Sequence, residues 1–175
     1  MFLVDTNVLV YAVNKDCPEH DRCYALLHDH RAQLLPWFAT WPILYEFLRI
    51  VTHPRSLRKP WTLDAAWNFI DSLLRSPGLR ILVETDRHSS VLSRTLGEIP
   101  SIRGSFLHDA HTAVLMREHG VKRIYTRDTG FHRFPFLEVI DPMVESYGPQ
   151  GARGGLEVRE PAASGTSRRR ARPRR

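Results

Sequence analysis

The chain has 175 residues, 42% of them hydrophobic, which suits one domain with a substantial core and is too short for two ordinary ones. Its net charge of +6 and isoelectric point near 9.8 suggest a polyanionic partner, but residues 148–175 hold eight arginines against two glutamates. The preceding 147 residues carry seventeen charges of each sign, so the basicity belongs to a tail and says nothing about the ligand of the folded part.

Cys17 and Cys23 are too few for a disulfide framework, and Asp5 interrupts the apolar run that a secretory signal would need. No apolar stretch approaches the roughly 18 residues of a membrane span. We therefore expect a cytoplasmic protein without membrane segments. Cys17, His20 and Cys23 invite a zinc reading. Three-residue steps along a helix, however, fan side chains about 60° apart, which favours ordinary positions on a surface helix.

The first element is Phe2-Leu3-Val4, a short buried strand closed by Asp5, with Thr6 or Asn7 suited to cap a helix through Val13. A helix is predicted from Pro18 to about His30, with Tyr24, Leu27 and Cys23 facing the core, followed by a strand over Leu34 to Phe38. Leu44, Phe47, Leu48 and Val51 give residues 40–52 a helical core face, and Glu46 lies off it beside Arg49 and His53. In isolation Glu46 and Arg49 read as an exposed ion pair worth a few tenths of a kcal/mol.

Residues 53–60 form a proline-bounded basic loop that can hold phosphates or simply be solvated. Leu63, Ala66, Trp67, Ile70 and Leu74 then make the stripe of another helix, widened by Trp61, Phe69 and Leu73 beyond what one contact face requires. A strand at Leu79–Val83 leads to a helix from Asp86 to Leu96, capped by Thr85 or Asp86. A loop containing Pro100 and Gly104 precedes a helix opened by His108-Asp109 and closed by Gly120. Arg123–Thr126 and Leu137–Ile140 are the last strands, with Asp128 just past the first of them and an aromatic turn between. From residue 148 onward the composition predicts disorder.

Alternating strands and helices imply an α/β fold with a mostly parallel sheet, whose right-handed crossovers align every strand's carboxyl end along one edge. Asp5 and Asp128 become neighbours there, and Glu46 and Asp109 can join them from flanking helices. These acids have structural alternatives: a cap for Asp5, an exposed ion pair for Glu46 and a first-turn place facing a helix dipole for Asp109. Together they need relief: two unit charges about 4 Å apart repel by roughly 4 kcal/mol at an effective dielectric near 20. Hard Mg²⁺ or Mn²⁺ would supply that relief and would activate water for attack on a phosphodiester.

Four motifs in order carry a resemblance to a known family: Asp5-Thr6-Asn7-Val8-Leu9; Tyr45-Glu46-Phe47-Leu48-Arg49 ahead of Thr52-His53-Pro54-Arg55; Asp109-Ala110-His111; and Thr126-Arg127-Asp128 with Phe131. From Phe2 to about Met143 the chain resembles PIN domains, specifically VapC toxins of type II toxin–antitoxin systems. The resemblance implies a PIN-like α/β/α sandwich over residues 1–147 and a Mg²⁺-dependent endoribonuclease. It also implies a homodimer and a cognate VapB-like antitoxin. Asp5, Glu46, Asp109 and Asp128 match the family's catalytic, metal-binding acids, and Asn7 and Thr126 match the polar residues that orient them. Many members carry a further acid where this chain has Gly130, so we expect one metal rather than two. Arg49, His53 and Arg55 are candidate phosphate contacts.

Other readings fit less well. A dehalogenase-type phosphohydrolase using Asp5 needs a second acid where Asn7 stands, and His108-Asp109 suits helical phosphohydrolases although this chain has clear strands. A non-catalytic RNA- or antitoxin-binding module on the same scaffold should have lost one of the four acids, and none is lost. For the antitoxin we expect an amphipathic helix along Trp61, Phe69 and Leu73 that sends an Arg or Lys into the acidic cluster.

Overall fold

The computed structural model describes residues 1–99 and 102–144; the arginine-rich tail, expected to be disordered, and Pro100 lie outside the described residues. Five parallel strands, β1 (Phe2–Val4), β2 (Trp37–Thr40), β3 (Leu79–Leu82), β4 (Arg123–Tyr125) and β5 (Glu138–Ile140), form one sheet in the order β3-β2-β1-β4-β5. Six helices connect them: α1 (Thr6–Val13), α2 (His20–Arg31), α3 (Trp41–Thr52), α4 (Leu63–Leu74), α5 (His88–Glu98) and α6 (Phe106–Glu118), with a 3-10 turn at Thr129–Arg133.

This order dictates the layering. Stepping from β1 to β2 to β3 moves the chain one way across the sheet, and the return from β3 to β4 moves it back. Right-handed crossovers therefore set α1 to α4 on one face and α5 and α6 on the other. Direction reverses between β1 and β4, and the crevice beyond the carboxyl ends of strands at such a reversal is where ligands bind in open α/β sheets. The centre is dry: Leu3, Val4, Trp37, Phe47, Ile124 and Phe134 have no exposed surface. Burial of side chains this size contributes roughly 1.5–3 kcal/mol each.

Local sequence explains most boundaries. Thr40 caps α3 through its hydroxyl, which accepts from Ile43 N, and Pro42 sits in the first turn where no amide partner is missed. Helix α6 closes on Gly120, at φ 68°, with Val121 N donating to Met116 O at 2.9 Å. This Schellman-type stop, which a residue with a side chain would strain, turns the chain into β4.

Several expectations move. Asp5 itself, not Thr6 or Asn7, caps α1, accepting from Thr6 N at 2.7 Å. Pro18 precedes α2 instead of opening it, and Tyr24 is exposed while Cys23, Leu26 and Leu27 form the buried side. Cys23 thus points into the core, and Cys17 Sγ faces the carbonyls of Tyr11 and Asn14. Strand β2 starts at Trp37 because pairing begins with Trp37 N to Gly78 O, after Pro36, which has no amide to give; Leu34 and Leu35 stay exposed. Helix α5 starts at His88, since Thr85 donates both its amide and its hydroxyl to the buried Glu118 carboxylate. Helix α6 starts at Phe106, two residues before His108.

The wide apolar face of α4 is partly self-satisfied. Leu73 lies in the core, and the half-buried rings of Trp61 and Phe69 pack on Phe47 at 6.3 and 5.1 Å between centroids. Their outer sides still wall a groove of about 590 Å³ with Val13, Tyr24, Leu27 and Leu73.

Candidate active site

The buried hydroxyl of Thr126, one residue beyond β4, organises the carboxyl edge. It donates to Asp5 Oδ2 at 2.6 Å and accepts from Asn7 Nδ2 at 2.8 Å and from Asp128 N at 2.9 Å. Asn7, in the first turn of α1, spends its other amide hydrogen on the same Asp5 oxygen at 2.7 Å, while its carbonyl oxygen accepts from Arg127 N. Asp5 therefore accepts three hydrogen bonds, two on Oδ2 and one on Oδ1 from Thr6 N, and its carboxylate is held in a single orientation.

The other three acids approach from separate elements. Glu46, on the exposed side of α3, accepts from the Thr6 hydroxyl at 3.2 Å and from Arg49 at 3.2 Å. Asp109, in the first turn of α6, arrives from the opposite face of the sheet. Asp128 caps the 3-10 turn through Gly130 N at 2.7 Å. A methyl group on Gly130 would stand 3.0 Å from Asp128 Oδ1 and 3.5 Å from Asp109 Oδ2, so these two carboxylates face one another across the space above that glycine. An acidic side chain there would require the Asp128 carboxylate to give by a few tenths of an ångström.

Burial pushes the Asp5 carboxyl up to about 6, against the opposing hydrogen bonds from Thr126 and Thr6, and the charges of Asp128 and Glu46 push the same way. Asp109 is also raised to about 6, by burial first and then by Asp128, Asp5 and Glu46, with His108 opposing. Asp128 and Glu46 thus act on both Asp5 and Asp109. Among the described residues no three His, Cys, Asp or Glu side chains stand close enough to form a ready-made metal cage. The donors nevertheless suit a hard divalent cation, being all oxygen, with Asp5 and Asp109 destabilised in their charged forms.

The basic candidates divide. Arg49 lies at the site through its bond to Glu46 and is well exposed. His53 caps the far end of α3, about 10 Å along the helix from Glu46, and its ring accepts from Arg55 N. Neither His53 nor Arg55 is joined to the acids by a hydrogen bond or ion pair among the described residues. Two neighbours escaped the sequence reading. Thr6 looked like a cap and instead bridges to Glu46; Arg127 pairs with Glu19 and Asp141, bracing the loop between Thr126 and Asp128. A partner 108 residues away leaves no local signal in the sequence.

Comparison with known proteins agrees with this geometry. The PIN domain family model matches residues 2–137. Ribonuclease VapC48 of Mycobacterium tuberculosis is 31% identical over 138 residues, covering 79% of this chain and 94% of that protein. Ribonuclease VapC24 of the same organism is 33% identical over 146 residues, covering 82% and 97%. Among solved structures, M. tuberculosis VapC20, described as a sarcin–ricin loop cleaving toxin, matches with a TM-score of 0.57 at 20% identity, over 81% of this chain and 100% of that one. VapBC2 from Rickettsia felis, bound to a promoter DNA fragment, matches at 0.56 and 18% identity, over 79% and 96%. These last two show the shared fold, and the family model together with the curated relatives shows the family: the chain belongs to the PIN domain family, among the VapC ribonucleases.

Proposed function

We propose that the chain is the endoribonuclease toxin of a type II toxin–antitoxin pair, working in the cytoplasm and hydrolysing RNA at the acidic edge with one Mg²⁺, or Mn²⁺ in its place. The observation that carries this is the convergence of Asp5, Glu46, Asp109 and Asp128 at the switch between β1 and β4, with two of the four held well above the usual carboxylate range. When bound, the cation supplies Lewis-acid activation of water and neutralises charge on the departing oxygen.

The protein's own groups do the positioning. Asp5, Asp109, Glu46 and Asp128 would hold the cation. Thr126 and Asn7 fix Asp5 Oδ2, and Thr6 holds one oxygen of Glu46. The unused guanidinium hydrogens of Arg49 face a substrate phosphate, with His53 and Arg55 contacting phosphates farther along the strand. Water attacks phosphorus and the bond to the 3′-oxygen breaks, giving a 5′-phosphate and a 3′-hydroxyl. Cleavage of bulk tRNA and ribosomal RNA in Mg²⁺, with mapped 5′ ends carrying phosphate, tests this; undiminished cleavage in excess EDTA refutes it.

The partner is a VapB-like antitoxin, and the protein works as a homodimer. The solved complexes matched include one from Rickettsia felis and FitAcB from Neisseria gonorrhoeae. The groove walled by Tyr24, Trp61 and Phe69 is the site we assign to an amphipathic antitoxin helix. No helix among the described residues is long and apolar enough to cross a membrane.

A further inference from the structure

Between Thr126, which orients Asp5, and Asp128, the last of the four acids, the chain places Arg127. All three amides of this short loop are bonded: Thr126 N donates to Ile140 O at 3.1 Å, Arg127 N to Asn7 Oδ1 at 3.2 Å and Asp128 N to Thr126 Oγ1 at 2.9 Å. The Arg127 side chain adds two anchors farther out. Its Nη1 donates to Glu19 at the entrance to α2, and its Nε donates to Asp141 Oδ2, just beyond β5, at 3.4 Å. One planar fork thus ties the loop to two other elements, in two directions that a point charge on a flexible stem would not serve together.

Both anchors are themselves held. Glu19 keeps only 13% of its side chain exposed, and Asp141 spends its other oxygen on Met143 N at 2.8 Å. Water and salt screen a partly buried pair of this kind less than an open surface pair. Two other roles for Arg127 fit less well. Its charge is not among the leading influences on the acidity of Asp5 or Asp109, so it does not act on them from a distance. It also faces two carboxylates with one positive charge, which leaves no excess to attract a phosphate.

Resting on the ribonuclease reading, we propose that Arg127 is a positioning residue: braced on Glu19 and Asp141, it holds the loop so that the Thr126 hydroxyl meets Asp5 and the Asp128 carboxylate faces Asp109 for metal binding. Arg127 itself touches neither metal nor RNA. Glu19 and Asp141 share the task through it, so removing both should imitate removing Arg127.

The test compares Arg127→Gln with Glu19→Gln plus Asp141→Asn, each in the full chain, by Mn²⁺ titration calorimetry and by kinetics on an oligoribonucleotide spanning a cut mapped in bulk bacterial RNA. Both should bind Mn²⁺ about tenfold more weakly, as when other groups that orient metal ligands are removed, and should lower kcat by a similar factor at subsaturating metal with KM for RNA within about twofold. The double variant leaves the guanidinium in place, so it would not remove a phosphate contact. Asp141→Asn alone still accepts from Met143 N and covers the case in which Arg127→Gln does not fold; it should weaken Mn²⁺ binding by at least about twofold. A raised KM in Arg127→Gln that the double variant does not share makes Arg127 an RNA contact and overturns the proposal. So does wild-type Mn²⁺ affinity in the folded variants, whatever their melting temperatures, because the brace would then serve stability alone. A wild type that neither binds Mn²⁺ nor cuts RNA overturns the ribonuclease reading as well.

Discussion

The hydroxyl of Thr126 donates to Oδ2 of Asp5 at 2.6 Å, joining residues 121 positions apart where β4 and β1 end side by side. The same hydroxyl accepts from Asn7 and from the Asp128 amide, so one side chain sets three of the groups that shape the site. Thr126→Val preserves shape and removes all three bonds. The buried partners it leaves unsatisfied should cost about 1–3 kcal/mol in thermal or denaturant unfolding. Metal affinity by calorimetry should fall about 10- to 100-fold, as for other residues that orient ligands. Serine at 126 should restore both.

Asp109→Asn should abolish cleavage and leave the metal-free fold as stable as wild type or more so at pH 7, because it removes one of four repelling charges. Asp5→Asn should also be inactive but less stable. Its amide nitrogen, in place of Oδ2, would face the donors of Thr126 and Asn7. Melting curves of the two variants in EDTA check the difference, and equal stability would contradict the hydrogen-bond assignment.

Metal-free stability should depend on pH in a direction fixed by the same acids. Folded Asp5 and Asp109 keep their protons up to about 6, whereas carboxyls in the unfolded chain release theirs near 3.9. The native state binds more protons between these values, so this contribution is fully present below about pH 4 and is lost as pH rises through 6. The melting temperature of wild type relative to Asp109→Asn should therefore drop by a few degrees between pH 4.5 and 7. Added Mg²⁺ should recover it above pH 6 but not at pH 4.5, where protons compete for the ligands.

Phe69→Ala should weaken antitoxin binding and also destabilise the free toxin, because this ring stacks on Phe47. Tyr24→Ala, from an exposed wall of the same groove, should lower antitoxin affinity by about tenfold with little change in unfolding midpoint or RNA cleavage. Unchanged affinity in Tyr24→Ala would move the antitoxin elsewhere.

Truncation after Tyr147 should flatten the salt dependence of RNA binding and leave the cleavage position unchanged. Six arginines in residues 168–175 can contribute up to about 4 to the log–log salt slope on a single strand. Phosphate contacts carry no base information. Titrations at 50 and 200 mM salt read this directly.

How much could be read in advance follows from how far each determinant reaches along the chain. Periodicity marked α3 and α4 because a helix repeats its burial every three or four residues, the closing Gly120 marked α6, and the runs at Phe2–Val4 and Arg123–Tyr125 marked strands because a central parallel strand is buried on both sides. Asp5 and Asp128 at strand ends and Asp109 at a helix start were visible as types in the right places, and the α/β alternation was enough to put Asp5 and Asp128 on one edge, with Glu46 a candidate from the middle of α3. Boundaries set by distant partners were not visible: β2 begins where Gly78 offers its carbonyl, and α5 begins late because Glu118 claims Thr85.

By itself the sequence determined the fold class, the neutral body with its basic tail, and which acids are candidates for one sheet edge, since those follow from local pattern and from crossover handedness. Only the tertiary structure decided how they are held. That Asp5 is both cap and candidate ligand, that Thr126 orients it, that Thr6 reaches Glu46, and that Trp61 and Phe69 partly spend themselves on Phe47 while Trp41 and Tyr45 do not, all depend on side chains brought together by packing. Hydrogen bonds and ring contacts act over a few ångströms in space, and sequence separation carries no record of those distances.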